Sequence, residues 1–160
     1  FRRKVRRLDE LKRISSGGSY PFAHFFNGAL IPISSVNSIG TIDDRYFIAG
    51  EEIDYFNRLS SIGDVRSILS ALHYHPDVSK RQWSRLKFFY FIKNTIILNH
   101  KIYNSPYVRD FLTVFIALTR VFLRNGPISF LSYVAGLNSH IFYGAIIKGL
   151  RGRIEKDFNG

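Results

Sequence analysis

"SKRQWSRLKFFYFIKNTIILNHKIY", residues 79–103, sets the architecture of the second half of this chain. Its apolar residues come in groups that are interrupted by Arg85, Lys87 and Lys93, a pattern that predicts a long helix. The next stretch, residues 105–126, has the same character. Both stretches are therefore predicted to be long, basic, aromatic-rich helices.

The C-terminal stretch, residues 127–160, is predicted to form one more helix and a basic tail. No run of the sequence reaches the roughly 18 uninterrupted apolar residues that a membrane-spanning helix needs. The nearest run, residues 111–123, is shorter and contains Arg120.

Shorter and more varied patterns precede Pro76. Residues 22–34 form a β-rich apolar run, and residues 34–40 predict a short helix closed by a glycine. Residues 51–63 predict a helix that has carboxylates at its start. Residues 65–76 predict a strand followed by a loop.

These patterns divide the chain into two predicted parts. An α/β part covers residues 1–78 and begins with a short basic helix or arm, and a helical, basic, aromatic-rich part covers residues 79–160. With 160 residues, of which 46% are hydrophobic, the chain can bury one ordinary core. It begins with Phe1 and has no Met, so we expect it to be a fragment of a longer protein.

The composition limits the chemistry that the chain can carry. Because it has no Cys, disulfides, thiolate zinc sites and cysteine nucleophiles are excluded, and any metal must use oxygen and imidazole ligands. The 23 Lys and Arg exceed the 12 Asp and Glu, which gives a net charge of +11. This charge indicates polyanionic partners such as nucleic acid, anionic lipid or nucleotide phosphates.

Glu51, Glu52 and Asp54 stand close together in "FIAGEEIDYFNRL", residues 47–59. Carboxylates at this spacing repel one another unless a cation, a proton or a polar ligand offsets their charge. One interpretation is structural, because acidic residues stabilise the N-terminus of a helix. The other is functional: one carboxylate acts as a general base while another binds a sugar or supports a metal site.

His73 and His75 lie two residues apart, so they share a face if this segment is a strand. Neutral histidine binds divalent cations, and functional residues often collect where an element ends. The pair is therefore either a source of metal ligands or an ordinary surface pair.

The Lys and Arg residues of the helical part allow three interpretations. They form a solvated face, the headgroup side of a helix that lies on an anionic membrane, or a nucleic-acid surface with stacking aromatic rings. The high apolar content of these helices favours membrane contact or core packing over nucleic acid.

Several short motifs follow one another before residue 79. They are Asn27-Gly28-Ala29-Leu30-Ile31, Ile39-Gly40, Asp43-Asp44, Tyr46-Phe47-Ile48, Glu51-Glu52-Ile53-Asp54-Tyr55, Arg58 and His75. In this order they resemble the second half of the catalytic domain of glycosyltransferase family 2, in its galactofuranosyl- and rhamnosyltransferase branch. The stretch "GAIIKGLRGRIEK", residues 144–156, resembles the ending of rhamnosyltransferase-like members.

This resemblance implies an α/β fold, namely the C-terminal part of a GT-A (Rossmann-like) catalytic domain followed by an α-helical extension. Glu52 would be the general base that deprotonates the acceptor hydroxyl, with Glu51 as the alternative base. His75 would help to hold a divalent cation, Mn²⁺ or Mg²⁺, on the donor diphosphate. The acceptor-binding residues would be Glu51, Asp54, Asn27 and Gly28.

The resemblance also implies partners and a cellular role. A nucleotide sugar, with galactofuranose or rhamnose favoured, would be the donor, and a glycan or polyprenyl-linked molecule would be the acceptor in bacterial surface polysaccharide synthesis. The helical part would contact the cytoplasmic face of the plasma membrane peripherally or form a homo-oligomer, and nucleic acid is not expected as a partner.

The family's nucleotide-binding half, with its Asp-x-Asp motif, is not found ahead of these residues. The fragment alone is therefore expected to be inactive. The alternative prediction is a non-catalytic basic module that binds nucleic acid or a membrane surface.

Overall fold

Helices dominate the computed structural model, which describes residues 8–15, 17–23, 28–72 and 81–158. In this part of the chain 62% of the residues are helical. The elements are α1 (Leu8–Ile14), β1 (Ser19–Tyr20), α2 (Ile33–Ile39), α3 (Glu51–Ile62), β2 (Ser67–Ile68), α4 (Arg85–Ile102), α5 (Pro106–Asn125), α6 (Pro127–Ala135) and α7 (Ser139–Leu150). The predicted helices at the positions of α2, α3, α4 and α5 are confirmed.

The predicted α/β, Rossmann-like GT-A fold is wrong. In the described residues the only strands are β1 and β2, which pair antiparallel with Ser19 opposite Ile68. The described residues of the apolar run 22–34 form no strand. Pro32 lacks the N–H that a sheet needs, and short apolar runs do not separate a strand from other buried structure.

Internal contacts divide the chain into two compact units. The first consists of Phe1–Ile42 and Glu52–Pro76, and the second consists of Asp43–Glu51 and Asp77–Gly160. The loop before α3 therefore belongs with the helical second unit. The predicted domain boundary between residues 78 and 79 stays a prediction.

Helix α4 is the central helix of the second unit and packs against α5 and α7. Ser84 caps it, because the Ser84 Oγ accepts a hydrogen bond from the backbone N–H of Lys87 at 3.2 Å. Phe88, Ile92 and Ile96 of α4 are almost completely buried in the core. A helix that is apolar on most sides needs neighbours around it, which α5 and α7 supply.

A turn separates α6 from α7, so the prediction of a single helix within residues 127–160 is wrong. Gly136 follows the end of α6 in an extended conformation, and Asn138 Nδ2 donates a hydrogen bond to Ser132 Oγ at 2.7 Å. A Cβ on Gly136 would lie 2.8 Å from Ser132 Cα, so the turn requires glycine.

A buried lysine of α4 fastens the segment that follows α7. Lys93 Nζ donates hydrogen bonds to the Glu155 carbonyl oxygen at 2.6 Å and to the Asp157 carboxylate, which Lys148 Nζ also contacts at 3.0 Å. Burial raises the pKa of Asp157, but the hydrogen bonds from the two lysines outweigh it and hold this pKa below its ordinary value.

A second buried polar group joins α4 to α5. Asn99 Nδ2 donates to Asp110 Oδ1 at 2.9 Å and to Thr113 Oγ1 at 3.3 Å, and His100 Nε2 lies 2.7 Å from Asp110 Oδ2. Because each of these contacts needs one particular pairing of positions, the group fixes the register of the two helices.

The helices of the described ranges differ in length and apolar character. None of them is both long and apolar enough to cross a bilayer alone, whereas α6 and α7, bent by 61°, pass together by length and composition.

The first unit is built around α3. Tyr55 and Leu59 of α3 are buried against Ile31 and Ile39. Helix α2 ends as predicted at Gly40, whose φ of 79° is readily adopted only by glycine.

Candidate functional site

Helix α3 begins with Glu51 and Glu52, two of the three predicted site carboxylates, and both side chains are half-buried. The prediction that they open a helix is confirmed. The first backbone N–H groups of a helix have no partner within it and favour negative charge nearby, so carboxylates are stabilising at this position. The base role of Glu52 stays a prediction.

The loop that leads into α3 is held within the second unit by Asn94 of α4. Asn94 Nδ2 donates to the carbonyl oxygen of Ala49 at 2.6 Å and to that of Phe47 at 3.3 Å. A Cβ on Gly50 would lie 3.1 Å from both Asn94 Cβ and Leu98 Cδ1. The loop therefore approaches α4 so closely that only glycine fits without displacing a side chain.

Ile48 in the same loop has a φ of 70°. This left-handed conformation is an outlier for a β-branched residue and costs roughly 1–3 kcal/mol. The contacts of Asn94 with the carbonyl groups on either side of Ile48 hold the conformation in place. Strain of this kind, directly before a pair of carboxylates, is typical of functional loops.

Asp54 is buried in an ion pair with Arg58, one helical turn further along α3. The Arg58 Nε donates to Asp54 Oδ2 at 2.9 Å, while its other nitrogens donate to the carbonyl oxygens of Ile39 at 2.7 Å and Thr41 at 2.9 Å. Arg58 thereby ties α3 to the turn after α2. With only 2% of its surface exposed, Asp54 serves this network, and its predicted acceptor contact stays a prediction.

A cleft of about 570 Å³ opens in the first unit, and Gly28 lies on its wall. Its volume is in the range of small-molecule sites. Leu59 and Ile62 line it from α3, and Arg66 is among its polar residues. Since Leu59 is seven residues after Glu52, the cleft lies ~10 Å along the helix from the predicted base.

Two predicted site residues, Asn27 and His75, lie outside the described residues. Within residues 8–15, 17–23, 28–72 and 81–158 no three His, Asp or Glu side chains are placed to hold a metal ion. The divalent cation with His75 as its ligand stays a prediction.

Sequence reasoning assigned no role to Arg58, although it belongs to the motif series, and it did not single out Asn94. The role of Arg58 was recognisable only in part, as an arginine one turn after Asp54. Asn94 had a weak signal, since it is an amide within the apolar stretch of α4, and a buried amide needs hydrogen-bond partners.

Comparison of the chain with protein-family models, curated proteins and solved structures finds no significant match.

Proposed function

We propose that this chain supplies the acceptor-activating segment of an inverting glycosyltransferase, with Glu52 as the general base. The observation that carries the proposal is the Arg58 network. It joins the Ile39-Gly40 turn, Asp54 and Arg58, which are separate motifs of the resemblance, into one arrangement that orients the beginning of α3.

In this role Glu52 accepts the proton of an acceptor hydroxyl. The acceptor oxygen forms a bond to the anomeric carbon of the donor sugar, the bond from that carbon to the diphosphate oxygen breaks, and the nucleoside diphosphate leaves with the electron pair. Attack from the side opposite the leaving group inverts the configuration. A half-buried carboxylate at a helix N-terminus suits this role because the helix dipole favours negative charge there and the side chain is still partly accessible.

Asp54 and Arg58 act as positioning residues in this proposal, because both are held in contacts within the protein. Gly28 and the cleft that it lines would bind a part of the acceptor ~10 Å from the reacting hydroxyl, which favours an acceptor longer than a single sugar ring. A glycan or a polyprenyl-linked saccharide meets this condition.

The donor in this proposal is a nucleotide sugar, with galactofuranose or rhamnose favoured, and the pathway is bacterial surface polysaccharide synthesis. The net charge of +11 suits a diphosphate-containing donor. A divalent cation bound with the help of His75 belongs to the same proposal, and none of the steps above depends on it.

The test is a sugar-transfer assay on the full-length protein as its host produces it, with a panel of labelled nucleotide sugars and lipid-linked acceptors. We expect Glu52→Gln to lower kcat by about 100-fold or more with little change in donor affinity, because a general base acts in the transition state. Glu155→Gln is the matched control, since it neutralises an exposed carboxylate elsewhere and should leave kcat unchanged.

The same assay on Glu51→Gln decides which carboxylate is the base, because only the base variant should lose turnover while it keeps donor binding. Full activity in both variants would overturn the proposal and favour the non-catalytic alternative. Nucleic-acid binding with a steep salt dependence would then identify that alternative.

A further inference from the structure

Helix α5 turns a broad apolar face outward. Its large side chains recur about every four residues, so they lie on one side of the helix. The apolar face is defined by Tyr107, Phe111, Phe115, Phe122 and Leu123 of α5 and by Ile128 of α6, which are between 48 and 84% exposed.

The apolar face is larger than a soluble surface normally tolerates. At roughly 200 Å² for each large side chain, about two-thirds of it exposed, the six residues present roughly 800 Å². The largest apolar patch of a typical monomer is about 300–600 Å², so this face is expected to have a partner.

Cations cluster at one end of α5, around the Trp83 ring. Lys87 Nζ lies 5.7 Å from the ring centroid, and the guanidinium carbons of Arg120 and Arg124 lie 5.5 Å and 5.8 Å from it. Arg120, three residues before Leu123, is its neighbour on the helix surface, so the cluster borders the apolar face.

The cations of this cluster are close enough to affect one another. Burial is the main cause that lowers the pKa of Lys87, and the positive charges of Arg124, Arg81 and Arg120 lower it further. On α5 itself the only acidic residue is Asp110, and it is buried against the side chain of Asn99.

We infer that the apolar face docks on the surface of an anionic phospholipid bilayer, with Lys87, Arg120 and Arg124 at the level of the headgroups. A helix with a wide apolar face bordered by Lys and Arg lies in the membrane interface, where the apolar side chains enter the acyl boundary and the cations meet the phosphates. This inference does not depend on the proposed function, since none of these residues belongs to the candidate site.

The charge around the apolar face favours a bilayer over a second copy of the chain as its partner. A symmetric contact through the apolar face would bring two sets of cations together, and α5 and α6 offer no exposed carboxylate to pair with them. An anionic bilayer matches both the apolar area and the charge.

The test is sedimentation of the full chain with vesicles of phosphatidylcholine alone and of equimolar phosphatidylcholine and phosphatidylglycerol. We expect binding to the anionic vesicles that weakens as salt is raised. The double substitution Phe111→Asp and Phe115→Asp should abolish this binding, because both side chains are exposed and enter the membrane. Leu30→Asp, at a fully exposed position of the first unit, is the matched control and should bind as the unaltered chain does.

A second pair of variants tests the cations. Lys87→Gln with Arg124→Gln should weaken binding to the anionic vesicles by roughly 25-fold, because each Lys or Arg near an anionic surface contributes roughly fivefold. Lys12→Gln with Arg13→Gln removes the same charge from exposed positions on α1 and is the control.

Fluorescence gives a second readout, which reports the surroundings of the apolar face itself. Because the chain has no cysteine, Phe115→Cys can be labelled with an environment-sensitive dye. The dye should become brighter and shift to the blue with anionic vesicles, whereas the same dye on Leu30→Cys should not.

Two results would overturn the inference. One is unchanged vesicle binding in the Phe111→Asp and Phe115→Asp variant. The other is a chain that is dimeric by light scattering without lipid and becomes monomeric in that variant, which would assign the apolar face to a second copy.

Discussion

Replacing Gly149 by alanine tests how closely α7 packs on α4. A Cβ at this position would lie 3.0 Å from both the Cβ of Ile96 and the carbonyl oxygen of Lys93. Neither atom is the flexible end of a side chain, so one of the helices must shift. Gly144, in the same helix, has no atom within 4 Å of its would-be Cβ and is the matched control.

Both substitutions place alanine within α7, and they differ in packing. Alanine is favoured over glycine inside a helix by about 1 kcal/mol. Inserting a methyl group into a filled space costs about 1–3 kcal/mol. We therefore expect Gly144→Ala to stabilise the protein by up to about 1 kcal/mol, and Gly149→Ala to destabilise it by up to about 2 kcal/mol. In a chain of this length the second change lowers Tm by up to about 8 °C.

Trp83 fluorescence during urea and thermal unfolding is the assay, because the single Trp lies in the second unit with both glycines. Equal stabilisation by Gly149→Ala and Gly144→Ala would refute the close approach of α7 to α4. Destabilisation by both would contradict the open space around Gly144 and remove it as a control.

Two further substitutions test the polar contacts. Lys93→Met should lower the free energy of unfolding by about 1.5–3 kcal/mol in urea titrations at neutral pH, because it removes the charged hydrogen bonds to Asp157. Burial raises the pKa of Asp157, but the hydrogen bonds from the lysines lower it below the ordinary value of 3.8. The ionised carboxylate therefore stabilises the fold above that pH, and this contribution is lost as the pH falls. The loss of stability in acid should be smaller in Lys93→Met. Arg58→Met leaves Asp54 buried without this cation and should cost about 3 kcal/mol or more, measured by amide hydrogen exchange in α3, and an unchanged exchange rate would contradict the network.

The long helices were predictable because their signals are local. The periodic apolar residues of α4 and α5, Ser84 before α4, and Gly126 after α5 are all read within a few residues of the helix that they define. The short helix α2 and its end at Gly40 were predictable for the same reason.

The predicted sheet failed because a strand depends on a partner that the local sequence does not reveal. The run 22–34 and the stretch 65–76 have apolar residues at strand-like spacing, yet the only pairing in their described residues involves Ser67 and Ile68. Leu30 is fully exposed, so its apolar character indicated neither a strand nor a core position.

Sequence alone was enough to place the carboxylates Glu51 and Glu52 at the start of a helix, because propensity and charge preference act over neighbouring residues. Only the tertiary structure decided that Asp54 is buried with Arg58, that Asn94 holds the loop before α3, and that α5 exposes its apolar face. Each of these outcomes depends on which distant residue comes into contact. Contacts such as that between Lys93 and Asp157, which are 64 residues apart, are set by the packing of the whole unit and leave no local pattern.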